Sequence, residues 1–148
     1  PISDNNIYVI DFIEVEDVFA ASEKFSKLRG KKVDLSELME YPLLLLQRES
    51  ATRRNLDHFL LKRGLSVKPE LEFESIELLA EFARIGAGIA HVLKESVLTA
   101  FKKGELFEVK LSEDLPKRKL GIASVKNVPL SRAAEAFISL LCEKNIKH

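Results

Sequence analysis

One cysteine in 148 residues, Cys142, leaves nothing for an internal disulfide to close on. That fits a reducing cytoplasm, where such a fold rests on its core alone. Long apolar runs are also missing: none approaches the roughly 20 residues needed to span a bilayer. The first residues, Pro1-Ile2-Ser3-Asp4-Asn5-Asn6, lack the basic-then-apolar order of a signal peptide and read as a turn met in mid-chain. Net charge is absent as well. The 23 basic and 23 acidic residues cancel, so nothing draws the chain over long range toward nucleic acid or an anionic membrane. Direct DNA contact by this stretch is not expected.

The sequence is equally short of catalytic sets. His58, His91 and His148 lie far apart, none in an HExxH or CxxC setting, so no metal site is expected. Gly86 and Gly88 follow a helical pattern and precede a strand, the reverse of the order a dinucleotide-binding loop requires. No serine sits in a nucleophile elbow. Cys142, between Leu141 and Glu143 on a helical stripe, reads as a partly buried packing residue. His91 in an apolar run reads as a core or pocket-edge histidine, and His58 as solvated. No cofactor is implied, and the chain does not read as an enzyme.

What is present is an ordinary globular balance, 46% hydrophobic and 31% charged. Apolar runs alternate with helical stripes, the pattern of a largely parallel α/β sheet. Strands are predicted at Ile7–Ile10, Val15–Ala21, Leu43–Leu46, Leu71–Glu74, Ile89–Val92, Leu106–Val109 and Leu120–Ala123. Four leucines in a row at 43–46 suit a strand covered on both faces. Lys27–Lys32 reads as an exposed basic loop. Helices are predicted at Ser36–Glu40, from the polar segment at 47–52 up to Gly64, after Ser75, around Ser96–Lys103, and after Leu130. The helix after Ser75 is expected to pack through Leu78, Leu79, Phe82 and Ile85, and the last helix through Ala134, Phe137, Ile138 and Leu141.

Two polar corners stand out. Gln47-Arg48-Glu49-Ser50-Ala51-Thr52 leads from a strand into a helix, where free backbone N–H groups and the helix dipole favour an anion. Ser50 and Thr52 could add hydroxyls, Gln47 an amide, and Arg48 or Arg53 a charge. Ser75 marks a second such corner. If the two strands are neighbours, Gln47, Ser50 and Ser75 line one crevice beyond the carboxyl ends of the sheet, where ligands sit in open α/β folds. The competing reading is plainer: each serine caps its helix and the arginines face water. Gly86-Ala87-Gly88 carries the same ambiguity, between backbone approaching a ligand and a tightly packed helix stop.

Taken in order, several pieces resemble one family. They are Tyr41-Pro42 with the leucine run, Arg53-Arg54-Asn55-Leu56-Asp57, Phe73-Glu74-Ser75-Ile76, Gly86-Ala87-Gly88-Ile89-Ala90, Gly104-Glu105-Leu106, and Leu130-Ser131-Arg132-Ala133-Ala134-Glu135-Ala136-Phe137-Ile138. Together they resemble the effector-binding domain of LysR-type transcriptional regulators. The resemblance implies a type II periplasmic-binding-protein-like α/β fold of two lobes, with a small-molecule inducer in the cleft. It implies one complete second lobe, residues 20–122, with only closing pieces of the first: a tail and crossover strand at 1–19, and a return segment with the final helix at 123–148. On that reading the start of the first lobe and a DNA-binding helix-turn-helix would precede the chain. Gln47, Arg48, Ser50, Thr52 and Ser75 are then the expected second-lobe effector contacts, with an acidic effector hinted by the serines and arginines. Strands cut off from partners are expected to drive homo-oligomer formation. A stand-alone periplasmic-type solute-binding protein is the alternative.

Overall fold

The computed structural model describes residues 4–145, so the expectations for Pro1–Ser3 and His148 lie outside the described residues. The chain divides into two compact units. One is continuous, Glu16–Lys117; the other joins the two ends of the chain, up to Val15 and from Arg118.

The continuous unit is built on a six-stranded sheet. Its strands are β2 (Asp17–Ala21), β3 (Lys32–Val33), β4 (Leu43–Leu46), β5 (Leu71–Phe73), β6 (Ile89–Leu93) and β7 (Phe107–Leu111), and their spatial order is β3-β7-β2-β6-β4-β5. β4 runs parallel to both β5 and β6, and β3 parallel to β7; β2 runs against both its neighbours, β6 and β7. The carboxyl ends of β4, β5, β6 and β7 therefore share one edge with the start of β2.

Helices cover both faces. α2 (Ala51–Leu61) puts Leu56, Phe59 and Leu60 onto Phe19, Leu43, Leu45 and Ile89. α3 (Ile76–Arg84) and α4 (Lys94–Lys102) put Leu79, Ala83 and Val97 onto the other face, against Leu44, Leu46, Ala90 and Val92. All four leucines of β4 are buried, as a strand between two helical layers requires. A short α1 (Leu35–Leu38) follows Asp34, whose side chain makes no capping bond.

Two expectations need adjusting here. Of the segment expected as an exposed basic loop, residues 29–31 form an exposed turn, but Leu28 is buried at the end of a 3-10 helix, Glu23–Leu28, and Lys32 opens β3. α3 faces the sheet through Leu79 and Ala83, leaving Leu78 54% and Ile85 74% exposed. Glu77, Glu81 and Arg84 share one side of the helix, so its apolar arc is centred on Leu79, and Leu78 and Ile85 lie at the edge of that arc. Gly86, at φ 78°, ends this helix with Ala87 N donating to Phe82 O at 3.0 Å, a Schellman stop.

The second unit pairs β1 (Ile7–Val15) antiparallel with β8 (Arg118–Val125), with an irregularity between Asp11 and Ile13, and adds α5 (Arg132–Asn145). Ser131 Oγ caps α5 by accepting from Ala134 N at 3.2 Å. The expected division at residue 122 falls inside β8, all of which pairs with β1. Of the helix's expected packing stripe, Phe137 is 63% exposed. Cys142, expected to be partly buried, is exposed.

Candidate functional site

The corner after β4 is assembled by its capping serine. Ser50 has extended backbone, and its Oγ accepts from Arg53 N at 3.0 Å, closing the first turn of α2. The same geometry recurs one strand over. Ser75 Oγ accepts from Leu78 N at 3.3 Å at the start of α3. Because Leu46 pairs with Phe73 in register, the two corners lie side by side. Gln47 links them: its backbone N donates to Phe73 O at 2.9 Å and its Nε2 to Glu74 Oε1 at 3.3 Å.

The five expected contact residues differ in what they offer. Arg48 is exposed, Gln47 and Ser50 are half-buried, and Thr52 is buried in the first turn of α2. Ser75 is more committed. Besides capping α3, its hydroxyl donates to Glu77 Oε2 at 2.5 Å. That bond, with a backbone bond at Glu77 itself, holds the Glu77 carboxyl below its ordinary range. A fixed negative charge beside Ser75 disfavours a second anion there. The anion-favouring part of the edge is thus the β4–α2 corner, with Ser75 and Glu74 as a polar wall beside it.

Arg53 does not face water, contrary to the plainer reading of the arginines. Its side chain is 1% exposed and bonded on three sides, to Asp57, to Glu72 and to the Leu46 carbonyl. Burial opposes its charge, but the bonds from Glu72 and Asp57 outweigh burial and raise its pKa further. Sequence reasoning missed this role because an arginine in the first turn of a helix ordinarily reads as solvated. The available signal was Asp57, placed i+4 from Arg53 on the same face.

Two further features share this edge. His91 is buried with its ring 4.9 Å from Phe19, a cross-strand neighbour, and Asp17 is buried nearby on β2. Beyond them lies a cavity of about 360 Å³ walled by Phe19, Lys31, Lys110 and Glu113, among others, and by none of the five expected residues. The Gly86-Ala87-Gly88 corner belongs to packing: a Cβ on Gly88 would stand 2.5 Å from Pro42 O.

A charge cluster fixes the start of β2. Lys94 Nζ reaches Glu16 Oε2 at 3.1 Å and Glu108 Oε2 at 3.2 Å. Burial pushes the Glu108 carboxyl up, but its bonds to Lys110 and Lys94 win and hold it below the usual range. A carboxylate whose pKa falls on folding stabilises the fold above its unfolded pKa, and that contribution is lost as the pH drops through the folded one. Glu108→Gln should therefore cost about 0.5–1 kcal/mol near neutral pH. The gap to the wild type should close below about pH 4. Melting curves of both proteins across that range check it.

The family model described as the LysR substrate binding domain matches residues 1–145. The chain belongs to this family. Among curated proteins, it is similar to the HTH-type transcriptional activator CmpR of Synechocystis sp., at 28% identity over 142 residues, 95% of this chain and 46% of that protein. It is also similar to the HTH-type transcriptional regulator CysL of Bacillus subtilis, at 27% identity over 141 residues, 95% of this chain and 42% of that protein. The chain thus spans less than half the length of these two relatives. Among solved structures, the regulatory domain of Synechocystis CcmR in complex with 2-PG superimposes with a TM-score of 0.87 at 18% identity, covering 99% of this chain and 71% of that one. The effector-binding domain of QuiR in complex with shikimate gives 0.82 at 20% identity, covering 100% and 69%. These likenesses carry the fold, α/β and type II periplasmic-binding-protein-like, as the LysR-family resemblance implied.

Proposed function

We propose that this chain is the effector-sensing part of a LysR-type transcriptional regulator, and that the corner at Gln47, Arg48, Ser50 and Thr52, with Ser75 beside it, is the second-lobe wall of its effector site. One observation carries the reading. Two neighbouring parallel strands end, in register, at two serine-capped helix starts, so two helix N-termini converge on one polar edge. The continuous unit Glu16–Lys117 serves as the second lobe, and β1, β8 and α5 as closing pieces of the first.

The preferred effector is a small anion, since Arg48 and the α2 N-terminus supply the positive end of the edge. The ligands in the complexes of the two solved relatives, 2-PG and shikimate, make natural probes. Arg48→Ala should weaken binding of such a carboxylate about tenfold, or roughly 1.4 kcal/mol. Being exposed and remote from the core, it should leave stability within about 0.5 kcal/mol. If no anion raises the melting temperature of the wild-type chain, the acidic-effector reading fails.

Binding would bias the lobe or subunit arrangement, and a helix-turn-helix elsewhere in the full regulator would read it out on DNA. The chain itself is proposed to be non-catalytic and cytoplasmic. None of the described helices is long and apolar enough to cross a membrane. The curated relatives named above are transcriptional regulators, which weighs against a stand-alone solute-binding protein. Homo-oligomer formation is supported by the two-stranded β1–β8 sheet and by the exposure of Tyr8, Val9, Val125 and Phe137 around it. Light scattering after size-exclusion chromatography should show an oligomer at micromolar concentration; a stable monomer would contradict it.

A further inference from the structure

Arg53 occupies the third position of α2, where the helix dipole disfavours a cation, and it is almost wholly buried, where a charge is costly. A hydrophobic side chain would satisfy packing more cheaply, so the guanidinium is explained by what it holds. Its backbone N donates to Ser50 Oγ at 3.0 Å. Nε donates to Asp57 Oδ1 at 2.9 Å and Oδ2 at 3.1 Å, one turn along α2. Nη1 donates to Glu72 Oε1 of β5 at 2.7 Å and to the carbonyl of Leu46, the last residue of β4, at 3.1 Å. One residue thus touches the end of β4, the adjacent strand, the capping serine and the body of α2. The segment Gln47–Ser50 is strung between these anchors.

We infer that Arg53 is the positioning residue of this corner: it frames the β4 end, β5 and the α2 N-terminus so that the groups at 47–52 are already spaced for a ligand before one arrives. The inference rests on the reading of that corner as the effector wall. Binding to a preformed corner avoids the entropy of ordering a loop, and so raises affinity without adding a contact. Lysine cannot substitute, because a single ammonium lacks the planar fork that reaches three acceptors in different directions.

The test compares the wild type with Glu72→Gln, Asp57→Asn and Arg53→Lys, by two readouts. The first is amide hydrogen exchange without ligand. Both carboxylates are 40% exposed, so their amide replacements remain hydrated and the chain stays folded. Exchange at 47–53 should quicken about tenfold in these two variants, while amides of β6 and α4 keep wild-type rates. Arg53→Lys should act in the same direction and more strongly. The second readout is affinity for 2-PG or shikimate, which should fall about tenfold in Glu72→Gln and Asp57→Asn at an unchanged melting temperature. Exchange that rises evenly over the unit, or not at all, overturns the inference. So does wild-type affinity in a variant whose corner has loosened. A wild-type chain that takes up neither probe overturns the site reading instead, and the exchange result then decides the role of Arg53 by itself.

Discussion

Gly88→Ala should be among the most damaging single methyl additions in this chain, costing about 3 kcal/mol. A Cβ at that position would lie 2.5 Å from Pro42 O and 2.9 Å from both Cγ and Cδ2 of Leu44. Leu44 is fully buried and cannot swing away. Nor can the Pro42 carbonyl yield, since it accepts from Ile89 N at 2.8 Å where β6 begins to pair with β4. Relieving the clash means parting the two strands that carry the centre of the sheet. A chain of this length should lose roughly 6–12 °C in melting temperature. Gly104→Ala is the control. Nothing lies within 4 Å of a Cβ there, so only the backbone penalty of φ 72° applies, about 1 kcal/mol. Equal losses in the two variants would mean that the close approach at Gly88 is not what the fold depends on.

Arg53→Met should cost a similar amount, about 3 kcal/mol, for a different reason. Methionine fills much of the space but leaves the Leu46 carbonyl without its side-chain donor, and Asp57 and Glu72 without their cation. Both carboxylates can take up water, which holds the loss to the lower end for a broken buried pair. Urea unfolding should show a lowered midpoint with the slope unchanged, since the surface exposed on unfolding is the same. A loss below about 0.5 kcal/mol would show that the guanidinium merely fills space.

How far the sequence could be read depends on how strongly each signal was constrained. Leu43–Leu46 had few alternatives, because four leucines flanked by Pro42 and a polar corner suit a strand buried on both faces. Ser50 and Ser75 were legible as caps because a hydroxyl at a strand-to-helix junction has a specific donor to satisfy. That both serines cap their helices is compatible with the proposed site. A capped helix start still presents its dipole and its outer N–H groups to solvent.

The misses have physical causes as well. The apolar arc of α3 is wide, and Leu78 and Ile85 lie at its margin, where burial is decided by how far the sheet around Leu44 and Leu46 extends beneath them. Phe25 and Leu28 sit among charged neighbours, so their burial in a 3-10 helix is set by the sheet face beneath them and not by local pattern. β2 runs against both β6 and β7, a direction that apolar periodicity does not encode. Arg53 was misjudged because its partners Glu72 and Leu46 are brought to it only by the pairing of β4 with β5.

The proposed effector wall at the β4–α2 corner is tested most directly by titrating the isotope-labelled chain with 2-PG and following its backbone amides by NMR. The account predicts saturable shifts centred on 47–52 with weaker ones at 74–77, and their loss in Arg48→Ala. Shifts centred on Lys31, Lys32 and Lys110, around the cavity beside β7, or no shifts at millimolar ligand, would contradict it.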